Sequence, residues 1–166
     1  MKKKLALLLA LVLCLSSLSG ITVVAEGEAA ATPSVEIALY TVPMRATVSI
    51  LYAVKAEGYA SLDGLKLIAD KGNGEEEVAP AGFMTLSGVR YIVFDYSNLS
   101  ASEMDKKVTA CIDYNGTRGN TVIYSVKDFA DNYLAGEHEA KYEALVEAMI
   151  AYGEAVKAMS AASAAE

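Results

Sequence analysis

The chain has no tryptophan, one histidine and two cysteines among its 166 residues, and these scarcities exclude several kinds of site. A Ser-His-Asp or Cys-His mechanism needs a histidine. The only one, His138, lies in an acidic segment between two predicted helices, and we interpret it as an exposed loop or cap residue rather than a catalytic base. A zinc site needs several Cys or His ligands. We therefore predict no catalytic residue, no metal ligand and no cofactor, and we expect that the protein is not an enzyme.

Cysteine chemistry is equally limited. Cys14 lies in the N-terminal apolar run described below, so Cys111 is alone in the rest of the chain and no intramolecular disulfide is expected. Alternation along its predicted strand places Cys111 on the opposite face from Val108, Ala110 and Ile112. A free cysteine packs as a small hydrophobe, which makes packing the first interpretation. A reactive thiol and an intermolecular disulfide are the alternatives.

Positive charge is also scarce, because 14 Lys and Arg oppose 21 Asp and Glu, for a net charge of −7. An acidic chain repels phosphate backbones and anionic membrane surfaces, so we predict no nucleic-acid partner. The run Asp70-Lys71-Gly72-Asn73-Gly74-Glu75 resembles a calcium loop only at its start. Gly72 and Gly74 supply no side-chain oxygen where an EF-hand loop needs one. We interpret the run as a glycine-rich hairpin turn, followed by a solvated acidic run, Glu75-Glu76-Glu77.

The first 25 residues have the organisation of an export signal. Lys2, Lys3 and Lys4 precede an apolar run from Leu5 to Leu15, and small residues lead to a cleavage site between Ala25 and Glu26. The run is too short to span a bilayer, which needs about 20 residues. Removing residues 1–25 takes away three lysines and no acid, which leaves 11 basic against 21 acidic residues and a net charge of about −10. We predict a secreted, extracellular protein, which leaves cell-surface association open.

Lipid anchoring is disfavoured, because a lipoprotein site needs a small residue before the cysteine and Leu13 precedes Cys14. Beyond the signal we predict no membrane span. Residues 26–33, EGEAAATP, are predicted to be a flexible leader.

Strand patterns dominate residues 34–124. Period-two alternation is clearest at Thr47–Val54, where Val48, Ile50, Tyr52 and Val54 share one face. The other predicted strands are Ser34–Val42, Gly64–Ala69, Gly82–Leu86, Val89–Tyr96, Lys107–Tyr114 and Thr121–Tyr124. The last two flank a Gly/Asn cluster, which is typical of a hairpin. A short helical turn is predicted over residues 100–105. About seven short strands without βαβ alternation predict a mainly-β fold, an antiparallel Ig-like or fibronectin-like β-sandwich.

The periodicity changes at Ser125, and residues 125–160 are predicted to form two α-helices packed on the sandwich. Ser125 is a good N-cap with Asp128 three residues later, and Gly136 can close the first helix. Its apolar stripe comprises Val126, Phe129, Ala130, Tyr133 and Leu134. The second helix, from about Glu139 to Ser160, has a seam at Tyr142, Leu145, Met149, Tyr152, Val156 and Met159. Residues 161–166 are predicted to fray.

Gly153 lies inside the second predicted helix, where glycine costs about 1 kcal/mol relative to alanine. We interpret it as a site where another backbone, from the first helix or the sandwich, approaches closely. A functional hinge is the alternative.

The two helical motifs, YSVKDFA from Tyr124 and LVEAMIAYG from Leu145, resemble a C-terminal module of secreted and surface proteins from anaerobic Gram-positive gut bacteria. That family's pattern is close to YSVKDYA followed by LVKAMLNYGAAAQ, and the strands MRATVSI and ASEMDKKVTACIDYNGTRGNTVIYSV are similar too. The family's alanine-glutamine ending is here Glu154-Ala155-Val156-Lys157. The resemblance covers residues 40–158 and implies a sandwich with attached helices. It implies no defined activity.

Tyrosine is the most frequent aromatic residue, with ten tyrosines against three phenylalanines. Most tyrosines fall on core-like stripes, but Tyr40, Tyr52, Tyr59 and Tyr96 are candidates for an exposed ligand platform. The leading hypothesis is a secreted, non-catalytic module for protein interaction, adhesion or an accessory structural role. A carbohydrate-binding module that uses these tyrosines is the first alternative, and a hydrolase with an unrecognised carboxylate pair is the second. An extracellular protein or glycan would be the partner, and the helix seam predicts an oligomer as a further option.

Overall fold

The computed structural model describes residues 32–136 and 140–163 of the chain. The predicted cleavage site at Ala25 and Glu26, the leader residues 26–31, His138 and the tail residues 164–166 lie outside the described residues.

The described part is mainly β, with two C-terminal α-helices, as the sequence predicts. Its strands are β1 (Leu39–Thr41), β2 (Ile50–Lys55), β3 (Leu65–Asp70), β4 (Glu76–Val78), β5 (Pro80–Leu86), β6 (Val89–Tyr96), β7 (Val108–Tyr114) and β8 (Thr117–Tyr124). A 3-10 turn at Ala101–Glu103 joins β6 to β7, at the predicted helical turn. The helices are α1 (Val126–Ala135) and α2 (Ala140–Ser163), so α2 continues three residues past the predicted end.

The strands form two four-stranded sheets in which every described pair is antiparallel. Sheet A has the order β1-β2-β6-β5 and sheet B the order β4-β3-β7-β8. Alternate residues of β2, β3, β6 and β7 enter one shared core, because side chains on a strand point to opposite faces. The fully buried members include Ile50, Tyr52, Val54, Leu67, Ile92, Phe94, Val108 and Ile112.

Two hairpins turn on two-residue loops with a left-handed backbone. Asn115 and Gly116 connect β7 to β8 with φ values of 53° and 86°, and Ser87 and Gly88 connect β5 to β6 with 51° and 81°. Such loops match the twist of the strands they join. The prediction that β8 begins at Thr121 is therefore wrong, because the strand starts directly after Gly116 and carries an irregularity opposite Cys111 and Asp113.

Two further strand predictions need correction. Only Leu39–Thr41 of the predicted strand Ser34–Val42 pairs as a strand, because residues 35–37 lie beside β8 and are held by the side chain of Asn120. The acidic run Glu75-Glu76-Glu77 is not simply solvated, because Glu76 and Glu77 belong to strand β4. Glu75 pairs with Arg118, and Glu77 pairs with Lys66.

Helix α1 begins as the sequence predicts. The Ser125 hydroxyl accepts a hydrogen bond from the Asp128 N–H at 3.0 Å, and the Asp128 carboxylate accepts one from the Ser125 N–H at 2.9 Å. This reciprocal pair is a capping box. Val126 and Ala130 are buried, and Gly136 follows the helix with an extended backbone, so it does not adopt the left-handed cap conformation.

The predicted seam of helix α2 is only partly right. Met149 packs against the core and Val156 is half-buried, but Tyr142, Leu145, Tyr152 and Met159 are exposed. The buried residues Val146 and Gly153, seven residues apart, lie on a neighbouring face, where the Lys157 ammonium pairs with Asp105. A Cβ at Gly153 would lie 2.8 Å from the Met104 sulfur and 3.1 Å from the Ala101 carbonyl oxygen. The close backbone approach predicted at Gly153 is confirmed, and its partner is the 3-10 turn rather than α1 or a strand.

Candidate functional site

The four tyrosines proposed as a ligand platform do not share an exposed face. Tyr52 and Tyr96 are 0% and 1% exposed and belong to the core, so their assignment to a platform is wrong. Tyr52 alternates with Ile50 and Val54 on the inward face of β2, which is the physical reason. Tyr40 is half-exposed at the edge of sheet A, where its ring packs edge-on against Tyr124 with centroids 4.7 Å apart.

Burial also determines the chemistry of these hydroxyls. It raises the pKa of Tyr96 to about 12 and that of Tyr52 further above its ordinary value, since an anion is costly away from water. Neither hydroxyl has a hydrogen-bond partner among the described residues. Tyr59 is half-buried and donates its hydroxyl proton to the Ser34 carbonyl at 2.6 Å. Tyr52 and Tyr96 therefore belong to the core, and only the hydroxyl of Tyr59 is engaged by the main chain.

A large open cleft lies at the end of the sandwich where β2 and β6 meet the loop 56–64. We call it the end cleft; its volume is about 530 Å³. Volumes of this order are typical of small-ligand sites. Its walls carry basic, aromatic and apolar side chains with a single carboxylate, and include Lys55, Glu57, Tyr59, Leu62, Phe83 and Arg90.

Arg90 and Phe83 form a stacked pair in the end cleft. The guanidinium carbon of Arg90 lies 3.9 Å from the centroid of the Phe83 ring, and this ring is half-exposed. A cation over an aromatic face is attracted by the ring quadrupole, which fixes the position of the guanidinium. Lys55 lies on the neighbouring strand, one residue before Ala56, whose N–H donates to the Arg90 carbonyl at 2.9 Å. Its partner in the ladder is Tyr91, so its side chain lies on the opposite face of sheet A from Arg90.

A second depression, of about 560 Å³, contains two carboxylates, Glu77 and Asp113. Lys66 pairs with Glu77, and Asp113 accepts a hydrogen bond from the Gly116 N–H at 2.9 Å. The carboxyl groups with shifted pKa values in the described structure, Glu75, Glu103, Asp105 and Asp128, all have lowered values. A general acid requires the opposite direction.

The outer faces of the two sheets differ in chemistry. Sheet B carries ion pairs, including a two-pronged contact of Arg118 with Glu75 at 2.7 Å on both branches. Cys111 lies on this outer face and is buried, while its neighbours Val108, Ala110 and Ile112 enter the core, as alternation predicts. Sheet A instead has a shallow apolar depression of about 210 Å³, lined by Leu39, Leu51, Ala53, Met84, Leu86 and Val93 together with Tyr40 and Thr41.

The most exposed apolar surface lies on helix α2. Leu145, Tyr152 and Met159, each seven residues from the next, are 48%, 60% and 70% exposed. Five exposed alanines lie beside them, at positions 144, 148, 151, 155 and 158. We call these eight residues the α2 face. Soluble helices normally present charged groups to water, so an apolar surface of this kind indicates an interaction site.

A groove of about 260 Å³ continues the α2 face toward the core. It lies between the helix and the loop 42–48, and its lining includes Pro43, Met44, Leu145, Met149 and Tyr152. Met149 also packs against the core, so the rigid sandwich supports one wall of the groove.

No group of three or more metal-binding side chains occurs in the part of the chain that the structure describes. Within that part, neither helix combines the length and apolar character needed to cross a membrane.

No family model, curated protein or solved structure matches the chain.

Sequence reasoning missed Lys55, Phe83 and Arg90 because each belongs to an ordinary strand pattern. Their alignment depends on pairing between β2, β5 and β6. The α2 face had a signal in the sequence, the sevenfold spacing of Leu145, Tyr152 and Met159.

Proposed function

We propose that the chain is an exported, non-catalytic protein-interaction module that associates through the α2 face with the same face of a second copy. The observation that carries this proposal is the exposure of Leu145, Tyr152 and Met159 on a helix that is already anchored to the fold at Val146 and Gly153. Fully burying a large apolar side chain contributes about 1.5–3 kcal/mol, and each of these three partly covered side chains would contribute a fraction of that on association.

The spacing of the apolar residues favours another helix as the occupant. Tyr142, Leu145, Tyr152 and Met159 are exposed and belong to the heptad pattern of helix pairs. The other members of that pattern, Met149 and Val156, are half-buried. Large side chains alternate with alanines on the α2 face, so each large residue of one copy can enter a gap between large residues of another. The surface is therefore complementary to itself.

The size of the surface suits a weak, concentration-dependent dimer. The α2 face extends from Ala144 to Met159, which is about 23 Å of helix. A two-fold pair of such faces lies at the small end of the range for specific interfaces. Met44, which is exposed beside the groove, adds to this area.

The finer fold assignment, an Ig-like sandwich, is part of the proposal. Constant-type immunoglobulin domains have strands A, B, E and D in one sheet and C, F and G in the other. Sheet A (β1-β2-β6-β5) has the same connectivity as A-B-E-D, and β3-β7-β8 the same as C-F-G, with β4 added beside β3. Membership of the secreted gut-bacterial module is proposed on the helical motifs that begin at Tyr124 and Leu145.

Export is proposed from residues 1–25, with cleavage after Ala25. Expression of the full chain in a secreting host, followed by intact-mass measurement of the product, tests it. The expected product begins at Glu26. Retention of residues 1–25, or a lipid adduct on Cys14, would contradict it.

The self-association is tested by light scattering and sedimentation on the secreted product over a wide concentration range. We expect a monomer–dimer equilibrium that Leu145→Lys and Tyr152→Lys shift to monomer. Glu147→Lys is the matched control, because Glu147 is exposed on the acidic flank of the same helix. A wild-type chain that is monomeric at the highest concentration sinks the proposal.

Carbohydrate binding is the second candidate function, and the end cleft favours it. The lining of the cleft includes the half-exposed Phe83 ring and the Tyr59 ring, and such rings pack against the apolar faces of sugars. Tyr52 and Tyr96 have no part in this version, because they are buried. A hydrolase is the least supported reading, since the end cleft has one carboxylate, Glu57, among its described lining residues and hydrolysis of a glycoside uses two.

A further inference from the structure

Lys55 and Arg90 differ from eight other basic residues of the described structure in lacking a carboxylate partner. Eight lysines and arginines form ion pairs with carboxylates: Arg45, Lys66, Lys71, Lys106, Lys107, Arg118, Lys127 and Lys157. Lys55 and Arg90 have no carboxylate partner among residues 32–136 and 140–163. In a chain with a net charge of −7, acids outnumber bases, so a cation without a partner is unusual.

These two cations line the same cleft. Lys55 ends β2 and Arg90 begins the neighbouring part of β6, where Lys55 lies opposite Tyr91 in the ladder. The ladder places them on opposite faces of sheet A, because Lys55 shares a face with its partner Tyr91 and Arg90 shares the core-facing side with Ile92. The described lining carries these two cations and one carboxylate, Glu57, and Arg90 is the cation on the same side as Phe83.

The stacking of Arg90 on Phe83 fixes the orientation of its guanidinium group. Its guanidinium lies against the Phe83 ring, which occupies one face of the planar group and leaves the N–H edge for a ligand. A guanidinium edge binds a carboxylate or sulfate through two parallel hydrogen bonds. The half-exposed Phe83 ring and Tyr59 supply apolar area beside that edge.

We propose that the end cleft binds an acidic saccharide, whose carboxylate or sulfate is held by Arg90 and whose ring packs beside Phe83, while Lys55, which also lines the cleft, adds positive charge. The inference rests on the second candidate function, carbohydrate binding, and adds the charge of the ligand. A cleft of about 530 Å³ that is open to solvent accommodates a short stretch of a longer chain. Glu57 can accept hydrogen bonds from sugar hydroxyls.

The negative charge of the whole protein does not oppose this binding strongly. Charges are screened over about 8 Å at physiological ionic strength, so a ligand in the cleft experiences mainly Lys55, Arg90 and Glu57. Binding should weaken when salt is raised, because the contacts in an open cleft are solvent-accessible.

The test uses the secreted product of the full chain and matched pairs of saccharides. Oligogalacturonate is compared with its methyl ester, and sulfated chondroitin and sialylated oligosaccharides with their uncharged counterparts, by calorimetry or ligand-observed NMR. We expect at least one acidic member to bind, with its neutral counterpart about tenfold weaker or worse, as the loss of a charge-assisted contact predicts.

Variants assign the binding to the cleft. Arg90→Gln should weaken it about tenfold, and Phe83→Ala and Lys55→Gln should weaken it less. Lys127→Gln is the control, because Lys127 lies on α1 and pairs with Asp131. Circular dichroism checks that each variant is folded.

The contrary outcomes are distinct. Equal binding of acidic and neutral members overturns the charge inference and leaves carbohydrate binding in place. Failure of every saccharide in the panel overturns both. Arg90-dependent binding of oligoglutamate without any saccharide binding also overturns the inference, and identifies the ligand as an acidic peptide.

Discussion

Asn120 holds the main chain of Ile37 through both ends of its side-chain amide. Its Oδ1 accepts a hydrogen bond from the Ile37 N–H at 2.6 Å, and its Nδ2 donates one to the Ile37 carbonyl at 3.3 Å. At the neighbouring residue Gly119, a Cβ would lie 1.7 Å from the Val35 carbonyl oxygen. The segment before β1 is therefore attached to the edge of sheet B by the Asn120 side chain. The lack of a side chain at Gly119 lets the two backbones approach closely.

Replacement of Asn120 by leucine should destabilise the fold. The part-buried Ile37 N–H and carbonyl lose their partner, and an unsatisfied buried polar group costs about 1–3 kcal/mol. Urea unfolding followed by far-ultraviolet circular dichroism measures the change. Asn73→Leu is the control, because Asn73 is exposed in the β3–β4 turn. Equal midpoints for the two variants would contradict the assigned role of Asn120.

Gly153→Ala tests the docking of α2 on the 3-10 turn. Alanine favours a helix by about 1 kcal/mol over glycine, but its Cβ would crowd Met104 and the Ala101 carbonyl. Overpacking of this kind costs about 1–3 kcal/mol, so we expect a net loss of stability. The reverse change at the exposed Ala151, Ala151→Gly, measures helix propensity alone. A Gly153→Ala protein more stable than wild type would show that Met104 and the Ala101 carbonyl can move to accommodate a methyl group at little cost.

Sequence periodicity predicts much of the fold, and the errors in the predicted strand bounds have local physical causes. Strand β6 matches its predicted bounds because alternation and β-branched residues agree. The start of β8 is missed because Gly119 and Asn120 resemble turn residues, although they contact residues 35–37. The dipeptide Asn115-Gly116 alone is the stronger hairpin signal, and it locates the turn correctly.

Helix α2 shows why a stripe does not always identify a packed face. With so many alanines, the helix is apolar on most sides, so Tyr142, Leu145 and Tyr152 look like core residues. The residue that marks its packed face is Gly153, where a Cβ would lie 2.8 Å from the Met104 sulfur and 3.1 Å from the Ala101 carbonyl oxygen.

The candidate sites depend on contacts that no local pattern encodes. Arg118 pairs with Glu75, 43 residues away in the sequence, and Lys71 pairs with Glu103, 32 residues away. The sequence therefore could not show which basic residues of the described structure are ion-paired and that Lys55 and Arg90 are not. The burial of Tyr52, in contrast, was visible in the alternation of β2.

Cys111 should react slowly with a thiol reagent in the folded protein. Burial raises the pKa of its thiol, because the thiolate is desolvated, and only the thiolate is nucleophilic. The rate of reaction with a disulfide reagent at neutral pH should be far lower than in urea. Non-reducing gels should also show no covalent dimer. Equal rates in the two conditions would contradict the buried position of Cys111.

The Glu103 carboxylate links the 3-10 turn to sheet B and should make stability depend on acid pH. It accepts hydrogen bonds from the Ser100 N–H at 3.1 Å and from Lys106 and Lys71 at 3.0 Å. The Ser100 backbone bond and the lysines lower the pKa of Glu103 from 4.5 to about 2. Its charged form is thus favoured by the fold.

A lowered pKa in the folded state means that this stabilisation is present above about pH 4.5 and is lost as the pH falls toward 2. Glu103→Gln removes it at every pH, and Lys71, whose side chain is 9% exposed, then lacks its counter-ion. The urea midpoints of wild type and Glu103→Gln should differ most at pH 7 and converge as the pH falls through about 2. Glu57→Gln, at an exposed position of the end cleft, is the control. A difference that stays constant from pH 7 to pH 2 would show that Glu103 does not act through its charge.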